Sequence, residues 1–300
     1  MTTRKFKGTG VALVTPFHKD GSIDFKGLEK LIESLIAGKA DYLVVMGTTG
    51  ETPVLSKDEK NALLSFTKEI NNGRLPLVLG IGGNNTREVV NCIREADLDG
   101  VDAILSVSPY YNRPGQKGIV QHFKMVAGNS PVPVILYNVP GRTGSNMLAE
   151  TTLELSAASD NIIGIKEASG NLDQVTHILA HRPKDFLVIS GDDNLTYPLM
   201  ALGADGVISV VANAFPRDYA AMVRLCLKGE FEKACKLHFR FLDIYKLLFA
   251  EGNPVGVKAA LSALNICSEQ VRLPLVPASK NLMNKISELI DRDFEIISEK

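Results

Sequence analysis

The fold is indicated most clearly by the stretch Ile162-Ile163-Gly164-Ile165-Lys166-Glu167, an apolar run that ends abruptly in two charged residues. Its β-branched residues favour a strand, and the lack of polar alternation favours a strand buried on both faces. Such strands are typical of parallel sheets that are covered by helices. The stretch therefore predicts one strand of an α/β fold, with Lys166 and Glu167 at its carboxyl end.

Similar runs recur along the chain at intervals of roughly 20 to 35 residues, and amphipathic segments separate them. With the first run they make eight predicted strands: 10–14, 42–46, 77–81, 103–107, 134–137, 162–165, 187–189 and 206–210. Ser56 and Glu59 form a capping-box pattern that marks one helix start, and Thr86 marks another. Eight βα units favour a closed (β/α)8 TIM barrel over an open doubly wound sheet, which remains the alternative.

The alternation of strands and helices stops after residue 210. Segments 217–227, 231–249, 255–264 and 282–298 are predicted helices, with no strand between the last three. No linker rich in glycine or proline separates them from the rest. We therefore expect residues 1–226 to form the barrel with the active site, and residues 227–300 to form a C-terminal helical region packed on the barrel or on a partner subunit.

Charge and composition restrict the possible partners. The net charge of -1 and the pI near 6.5 provide no basic field for nucleic acid, so small metabolites are the default partners. The four cysteines show neither C-x-x-C spacing nor the density of a secreted disulfide scaffold. No apolar run approaches the roughly 18 residues of a membrane span, and no signal peptide is apparent. We expect a cytoplasmic protein.

Lys166 is the first candidate for a reacting group. Catalytic groups of such barrels lie at the carboxyl ends of strands, which is where Lys166 falls. Apolar surroundings disfavour the charged ammonium, and a neutral amine can form an imine with a carbonyl compound. The alternative is a lysine that reaches solvent or pairs with Glu167.

Three further polar sites follow predicted strands. Tyr137 ends the strand before that of Lys166, where its phenol could relay protons. Thr48 and Thr49 stand between two glycines, and their hydroxyls and nearby N–H groups could hold a carboxylate. Arg142 lies in a glycine-flanked loop, where it could bind a carboxylate bidentately. The alternatives are a packing tyrosine, a plain turn and a surface salt bridge.

Metal binding has weaker support. His177 and His181 are one helical turn apart, but no H-E-x-x-H motif contains them. Asp192 and Asp193 could bind a cation, although adjacent carboxylates after a glycine more often cap the next helix. We expect no metal site and no cofactor.

The motifs resemble those of the dihydrodipicolinate synthase family, within the pyruvate-dependent aldolase superfamily that includes N-acetylneuraminate lyase. The resemblance covers nearly the whole chain and preserves the order and spacing of the family's motifs. The motifs are GTTGE at 47–51, SPYYN at 108–112, YNVPGRT at 137–143, GIKE at 164–167, SGDD at 190–193, NP at 253–254 and RLPL at 272–275.

This resemblance implies a role for each matching residue. Lys166 is expected to form a Schiff base with pyruvate, and Tyr137 and Thr48 to relay protons. Tyr111 is expected to complete that relay across a dimer interface. The expected substrate-binding residues are Thr49, Arg142, Gly191 and Ile208, and Arg142 is expected to hold the carboxylate of L-aspartate 4-semialdehyde.

The implied activity is the condensation of pyruvate with L-aspartate 4-semialdehyde to 4-hydroxy-tetrahydrodipicolinate, the first committed step of diaminopimelate and lysine biosynthesis. The implied assembly is a homotetramer built as a dimer of dimers. An N-acetylneuraminate lyase or another sugar-acid aldolase is the alternative within the superfamily, although those lyases usually lack the arginine that Arg142 matches. A non-catalytic keto-acid sensor is the alternative from another class.

Feedback control by lysine is where the chain departs from part of the family. Asn84, Glu88 and Tyr110 resemble the lysine-binding positions of inhibited members, which often carry histidines where Lys57 and Lys60 stand here. Two cations would repel the ammonium of lysine unless solvent screens them. We expect weak or absent inhibition by lysine, unless both side chains merely lie on an exposed helix face.

Overall fold

The computed structural model describes residues 3–294, and the chain folds into a closed eight-stranded barrel. Each strand pairs in parallel with its sequence neighbours, and β8 pairs with β1 to close the sheet. The predicted (β/α)8 barrel is thereby confirmed. The strands are β1 (Gly8–Ala12), β2 (Tyr42–Val45), β3 (Leu77–Gly80), β4 (Ala103–Val107), β5 (Val134–Asn138), β6 (Ile162–Glu167), β7 (Leu187–Ser190) and β8 (Gly206–Ser209).

The helices between the strands cover the outside of the barrel. The helix after Ser56 begins where its capping residues predict: Ser56 and Glu59 form the reciprocal bonds of a capping box, at 3.2 and 2.9 Å. At the other predicted start Thr86 is the first helical residue, and Asn85 before it is the N-cap. The helices are α1 (Phe25–Ala37), α2 (Lys57–Asn71), α3 (Thr86–Glu95), α4 (Gln116–Asn129), α5 (Pro140–Thr143), α6 (Ala149–Ala158), α7 (Leu172–His181), α8 (Thr196–Ala201) and α9 (Pro216–Leu227).

The C-terminal region is helical, as predicted, and is made of α10 (Phe231–Arg240), α11 (Leu242–Phe249), α12 (Val255–Ala263) and α13 (Lys280–Asp293). The single helix predicted over 231–249 is wrong, because the chain turns at Phe241. The Phe241 ring is buried there, 5.3 Å from the Tyr219 ring of α9, so the turn between α10 and α11 is packed against the helix that precedes it. The predicted continuation of the last helix over 295–298 lies outside the described residues.

The interior of the barrel is filled with side chains below its carboxyl end. Phe6, which precedes β1, packs edge-to-face on Tyr42 with their ring centroids 5.8 Å apart. Gly10 makes room for the Tyr42 ring, since a Cβ at Gly10 would lie 2.1 Å from Tyr42 Cε2. Space for a ligand is therefore confined to the opposite, carboxyl end of the strands, as is general for this fold.

The bounds of β1 and the carboxyl ends of β5, β6 and β7 differ from the prediction. β1 begins two residues earlier than predicted, because Gly8 and Thr9 pair with Gly206 and Val207 of β8. It also ends two residues earlier, because the N–H of Val14 bonds to the side chain of Asn213 rather than to a neighbouring strand. β5, β6 and β7 extend into polar residues, so that Asn138, Lys166 and Glu167 belong to the sheet. Among residues 3–294, no helix is long and apolar enough to cross a membrane.

Candidate active site

Lys166 and Tyr137 face each other across β5 and β6, where they are register partners. Lys166 Nζ lies 4.4 Å from the centroid of the Tyr137 ring, and the two residues are 5% and 6% exposed. The alternative in which Lys166 pairs with Glu167 is not observed. Consecutive strand residues point to opposite faces, so Glu167 points away from Lys166 and accepts hydrogen bonds from Asn138 and Gln174 at 3.1 and 3.0 Å.

The neighbourhood of Lys166 is completed by the end of β7. A Cβ at Gly191 would lie 3.1 Å from Lys166 Cε, so the missing side chain leaves room for the lysine. Burial raises the pKa of the next residue, Asp192, and the charge of Lys166 opposes that rise. Asp192 is thus the carboxylate near the amine, which the sequence motif did not reveal. Ile208 is fully buried inside the barrel.

A cleft of about 450 Å³ opens at the carboxyl end of the barrel. Tyr137 forms part of its wall, and the Lys166 amine lies beside the ring of Tyr137. The predicted site residues that line the cleft are Thr48, Tyr110, Tyr137, Arg142 and Lys60. The predicted residues that do not line it are Lys166, Thr49, Tyr111, Gly191, Ile208, Asn84, Glu88 and Lys57.

The two threonines lie in a single turn of 3-10 helix, Thr48–Gly50. Thr49 is buried, and its Oγ1 accepts a hydrogen bond of 2.9 Å from Asn253 Nδ2. Thr15 Oγ1 donates to the carbonyl of Gly50 at 2.7 Å. The turn is therefore held from both sides, and Thr48 is left at the wall of the cleft.

Arg142 lies on the short helix α5 and is exposed at the edge of the cleft. Within residues 3–294 its guanidinium has no carboxylate partner, so the alternative of a surface salt bridge is not observed. Its one hydrogen bond is a long one, 3.5 Å, to the carbonyl of Asn253. The guanidinium is thus able to take a carboxylate from a ligand.

The carboxylate of Asp193 has a structural role that differs from the predicted one. Instead of capping its own helix, it accepts hydrogen bonds from Ser209 Oγ at 2.5 Å and from the N–H groups of Val210 and Val211 at 2.9 and 3.1 Å. The helix-capping interpretation was wrong because these partners follow the next strand, beyond the reach of a local sequence rule. Burial raises the pKa of Asp193.

Metal-binding clusters are absent from the described part of the chain: it contains no group of three or more His, Cys, Asp or Glu side chains that could hold an ion. His177 and His181 lie on an exposed helix face with their rings stacked, 4.4 Å between centroids. The prediction of an exposed face for these two histidines is confirmed.

Tyr111 projects from the loop after β4 and is 89% exposed. It has a left-handed backbone conformation, with φ at 70°. Its neighbour Tyr110 reaches the cleft, and Asn112 Nδ2 donates to the carbonyl of Asn84 at 2.9 Å. An aromatic ring held this far into solvent is available to a partner subunit.

The predicted regulatory residues lie near this loop and on α2 and α3. Glu88 is exposed, and Asn84 is half-buried in the loop before α3. Lys57 is exposed and pairs with Glu95, with Nζ and Oε2 2.9 Å apart. Lys60 is half-buried at the wall of the cleft.

A second buried lysine, which the sequence motifs did not predict, lies close to the threonine turn. Lys258, in α12, forms an ion pair with Glu51, the last residue of the GTTGE motif. One signal was present, because Lys258 is the lone charge in the otherwise apolar segment 255–264. Arg272 also lines the cleft and forms an ion pair with Glu59.

A (β/α)8 barrel with a buried lysine beside a tyrosine at the carboxyl end of its strands has the architecture of a lysine-dependent aldolase. The comparisons with known proteins give the family. Residues 5–293 match the model of the dihydrodipicolinate synthetase family, and the chain belongs to that family. The resemblance predicted from the motifs is confirmed.

Individual relatives match over nearly their full length. The chain is 49% identical to the 4-hydroxy-tetrahydrodipicolinate synthase of Parabacteroides distasonis over 290 residues, which cover 97% of this chain and 98% of the relative. It is 51% identical to that of Flavobacterium psychrophilum over 281 residues, or 94% and 96%. The crystal structure of dihydrodipicolinate synthase from Thermotoga maritima matches with a TM-score of 0.94 and 37% identity, over 96% of this chain and 99% of that one.

Proposed function

We propose that the protein is a 4-hydroxy-tetrahydrodipicolinate synthase that joins pyruvate to L-aspartate 4-semialdehyde through a Schiff base on Lys166. The observation that carries this proposal is the amine of Lys166, buried beside the Tyr137 ring at the end of the barrel that holds the cleft. The names of the full-length relatives support the same reaction.

The first half of the reaction loads pyruvate onto the lysine. The Lys166 amine attacks the ketone carbon, and loss of one water leaves an imine. Proton transfers in these steps are assigned to Tyr137, whose ring lies beside the Lys166 amine, and to Thr48, which lines the cleft together with Tyr137. Thr49 and the N–H groups of its turn bind the carboxylate of pyruvate. Gly191, whose missing side chain leaves room beside Lys166, and Ile208, inside the barrel, contact the bound keto acid.

The second half forms the carbon–carbon bond. The imine loses a proton from the pyruvate methyl group, and the resulting enamine carbon attacks the aldehyde of the acceptor. Arg142 holds the acceptor's carboxylate during this step, as its unpaired guanidinium allows. The amino group of the acceptor then attacks the imine carbon, which closes the ring and releases Lys166 as a free amine. The lysine imine is the electron sink, so no separate cofactor enters these steps.

Assembly, location and domain division are part of the same proposal. Tyr111 enters the active site of a partner subunit, within a tetramer of two tight dimers; its 89% exposure supports this role. The enzyme acts in the cytoplasm, in keeping with four cysteines that are all free. Residues 1–226 form the catalytic barrel, and residues 227–300 form a helical region that supports it, as the bond from Asn253 to Thr49 indicates.

The acceptor is the part of the proposal that an activity assay tests directly. Purified protein is incubated with pyruvate and either L-aspartate 4-semialdehyde or N-acetylmannosamine, and product is followed by chromatography and mass spectrometry. We expect turnover with the semialdehyde only. Arg142→Lys, which keeps the charge but loses the bidentate geometry, should raise KM for the semialdehyde more than KM for pyruvate. Turnover with the sugar alone would replace the synthase with the sugar-acid aldolase.

A further inference from the structure

The interior of the protein contains an ion pair that the reaction scheme does not use. Lys258 Nζ lies 2.6 Å from Glu51 Oε1, and the side chains are 0% and 2% exposed. Lys258 also donates to the carbonyl of Gln270 at 2.7 Å, and its ammonium lies 4.2 Å from the centroid of the Phe17 ring. The second carboxylate oxygen of Glu51 accepts the N–H of Arg272 at 3.0 Å. The ammonium and the carboxylate therefore each have further partners besides each other.

Glu51 directly follows the turn that carries the two threonines. Its N–H bonds to the carbonyl of Thr48 at 3.1 Å, and its own backbone is left-handed, with φ at 54°. Asn253, just before α12, reaches the same turn through its bond to Thr49 Oγ1. The start of α12 thus holds the turn at two points, one on each side of Gly50.

Stability alone does not account for keeping two charges at this depth. Burial lowers the pKa of Lys258, and Glu51 opposes that effect, so the lysine depends on its partner to stay charged. Replacement of a whole buried ion pair by apolar residues of similar size is often neutral for stability. Such a replacement removes the directional contacts between the two side chains. An ion pair with further hydrogen bonds fixes the position of both groups, whereas apolar packing does not.

We propose that Glu51 and Lys258 are positioning residues that fix the Thr48–Thr49 turn against the Lys166 and Tyr137 side chains. This inference rests on the proposed function, in which that turn holds the pyruvate carboxylate. A displaced turn weakens pyruvate binding and slows imine formation. Glu51 belongs to the wall of the cleft, but its side chain is 2% exposed and that of Lys258 0%, so their replacement removes no exposed group from the cleft. A misplacement of about 1 Å can reduce a rate by about 100-fold.

The test compares single and double variants. Glu51→Gln, Lys258→Met and the double variant Glu51→Gln/Lys258→Met are each mixed with pyruvate and borohydride, and the rate of adduct formation is measured against pyruvate concentration. Thermal unfolding is measured in parallel. Lys233→Met is the matched control, because Lys233 Nζ and Glu230 Oε2 are also 2.6 Å apart but their side chains are 72% and 36% exposed.

We expect Lys258→Met to lose both melting temperature and trapping rate, since it leaves Glu51 unpaired. The double variant should regain the melting temperature but still trap pyruvate about 10-fold to 100-fold more slowly, with half-saturation at a higher pyruvate concentration. The Lys233→Met variant should match the wild type. Recovery of both stability and wild-type trapping in the double variant would show that the charges only neutralise each other, and would overturn the proposal.

If the double variant does not fold, Glu51→Gln tests the positioning role instead, because it keeps the shape of the side chain. Trapping by folded Glu51→Gln with the wild-type rate and concentration dependence would also overturn the proposal. Pyruvate trapping by the wild type distinguishes a failure of this inference from a failure of the proposed function on which it rests. If the wild type forms no adduct with pyruvate, the proposed function itself is contradicted. If the wild type and the double variant both trap pyruvate normally, only the positioning role is contradicted.

Discussion

Lys166 Nζ lies 4.4 Å from the centroid of the Tyr137 ring because the two residues are register partners on β5 and β6. The amine and the phenol are thus brought together by the barrel ladder itself rather than by a loop. Side chains on rigid strands are held more precisely than those on loops. The two groups to which the proposed imine chemistry is assigned therefore both stand on strands of the barrel.

Loss of the Tyr137 hydroxyl should slow the reaction without disturbing the barrel. Tyr137→Phe keeps the ring that packs on Lys166 but removes the proton relay, so we expect kcat to fall about 100-fold to 10,000-fold. KM for pyruvate should change much less. Steady-state kinetics measure both, and Tyr197→Phe, a change in a half-buried tyrosine that bonds to the carbonyl of Phe231, is the control. An unchanged kcat in Tyr137→Phe would remove Tyr137 from the relay.

Hybrid oligomers should test whether Tyr111 acts in the partner's site. Lys166→Ala and Tyr111→Phe are each expected to be nearly inactive as pure oligomers. After the two are unfolded and refolded together, subunits exchange, and a mixed dimer should contain one site with both native residues. Activity should therefore reappear on mixing. Mixing without any gain, despite hybrids visible by native mass spectrometry, would mean that Tyr111 does not act across the interface.

Lysine should inhibit this enzyme weakly or not at all. Lys60 stands half-buried at the wall of the cleft that Tyr110 also lines. Lys57, on the same helix, is paired with Glu95, so most of the positive charge added at this wall comes from Lys60. Like charges at close range repel lysine's ammonium. The initial rate is measured against lysine concentration at low and high salt, and Lys57→His/Lys60→His should increase sensitivity. Strong inhibition of the wild type by submillimolar lysine would contradict the prediction.

His122 should make the fold sensitive to mild acid. Burial lowers the pKa of His122 from 6.5 to about 4, and its Nδ1 lies 2.9 Å from Thr86 Oγ1. Between these pH values the unfolded chain binds the proton and the folded protein does not, so stability falls as pH falls through this range. The loss from this group should reach about 3 kcal/mol near pH 4.

Urea unfolding at pH 7 and pH 4.5 measures this loss for the wild type and for His122→Gln, which does not titrate. The wild type should lose more stability than the variant over the same range. His181→Gln, which changes an exposed histidine, should retain the wild-type pH dependence. Equal losses in the wild type and His122→Gln would contradict the assignment.

The strands were predictable because local patterns define them, and the same patterns put Lys166 and Tyr137 at the ends of adjacent strands. Buried parallel strands require continuous apolar runs, and every one of the eight runs became a strand. The ends were less accurate, since Lys166 and Glu167 join the ladder through backbone groups that do not depend on side-chain polarity. The polar character of a strand end therefore indicates the active site but not the last paired residue.

The contacts that hold the site together could not be predicted from local patterns. Glu51 and Lys258 are 207 positions apart, and Asn253 and Thr49 are 204 apart. No spacing rule joins positions so distant, and a lone lysine in an apolar helix does not reveal its partner. The error at Asp193 has the same cause, because the capping rule considers only neighbouring residues whereas the carboxylate binds groups at and just after the end of β8.

Borohydride trapping with pyruvate, followed by peptide mass mapping, tests the central claim most directly. Reduction of the imine leaves a permanent mass on the lysine that reacted. We predict a single pyruvate adduct on Lys166 in the wild type and no adduct in Lys166→Ala. An adduct on another lysine, such as the buried Lys258, or no adduct at all, would contradict the assignment and favour a barrel that only senses keto acids.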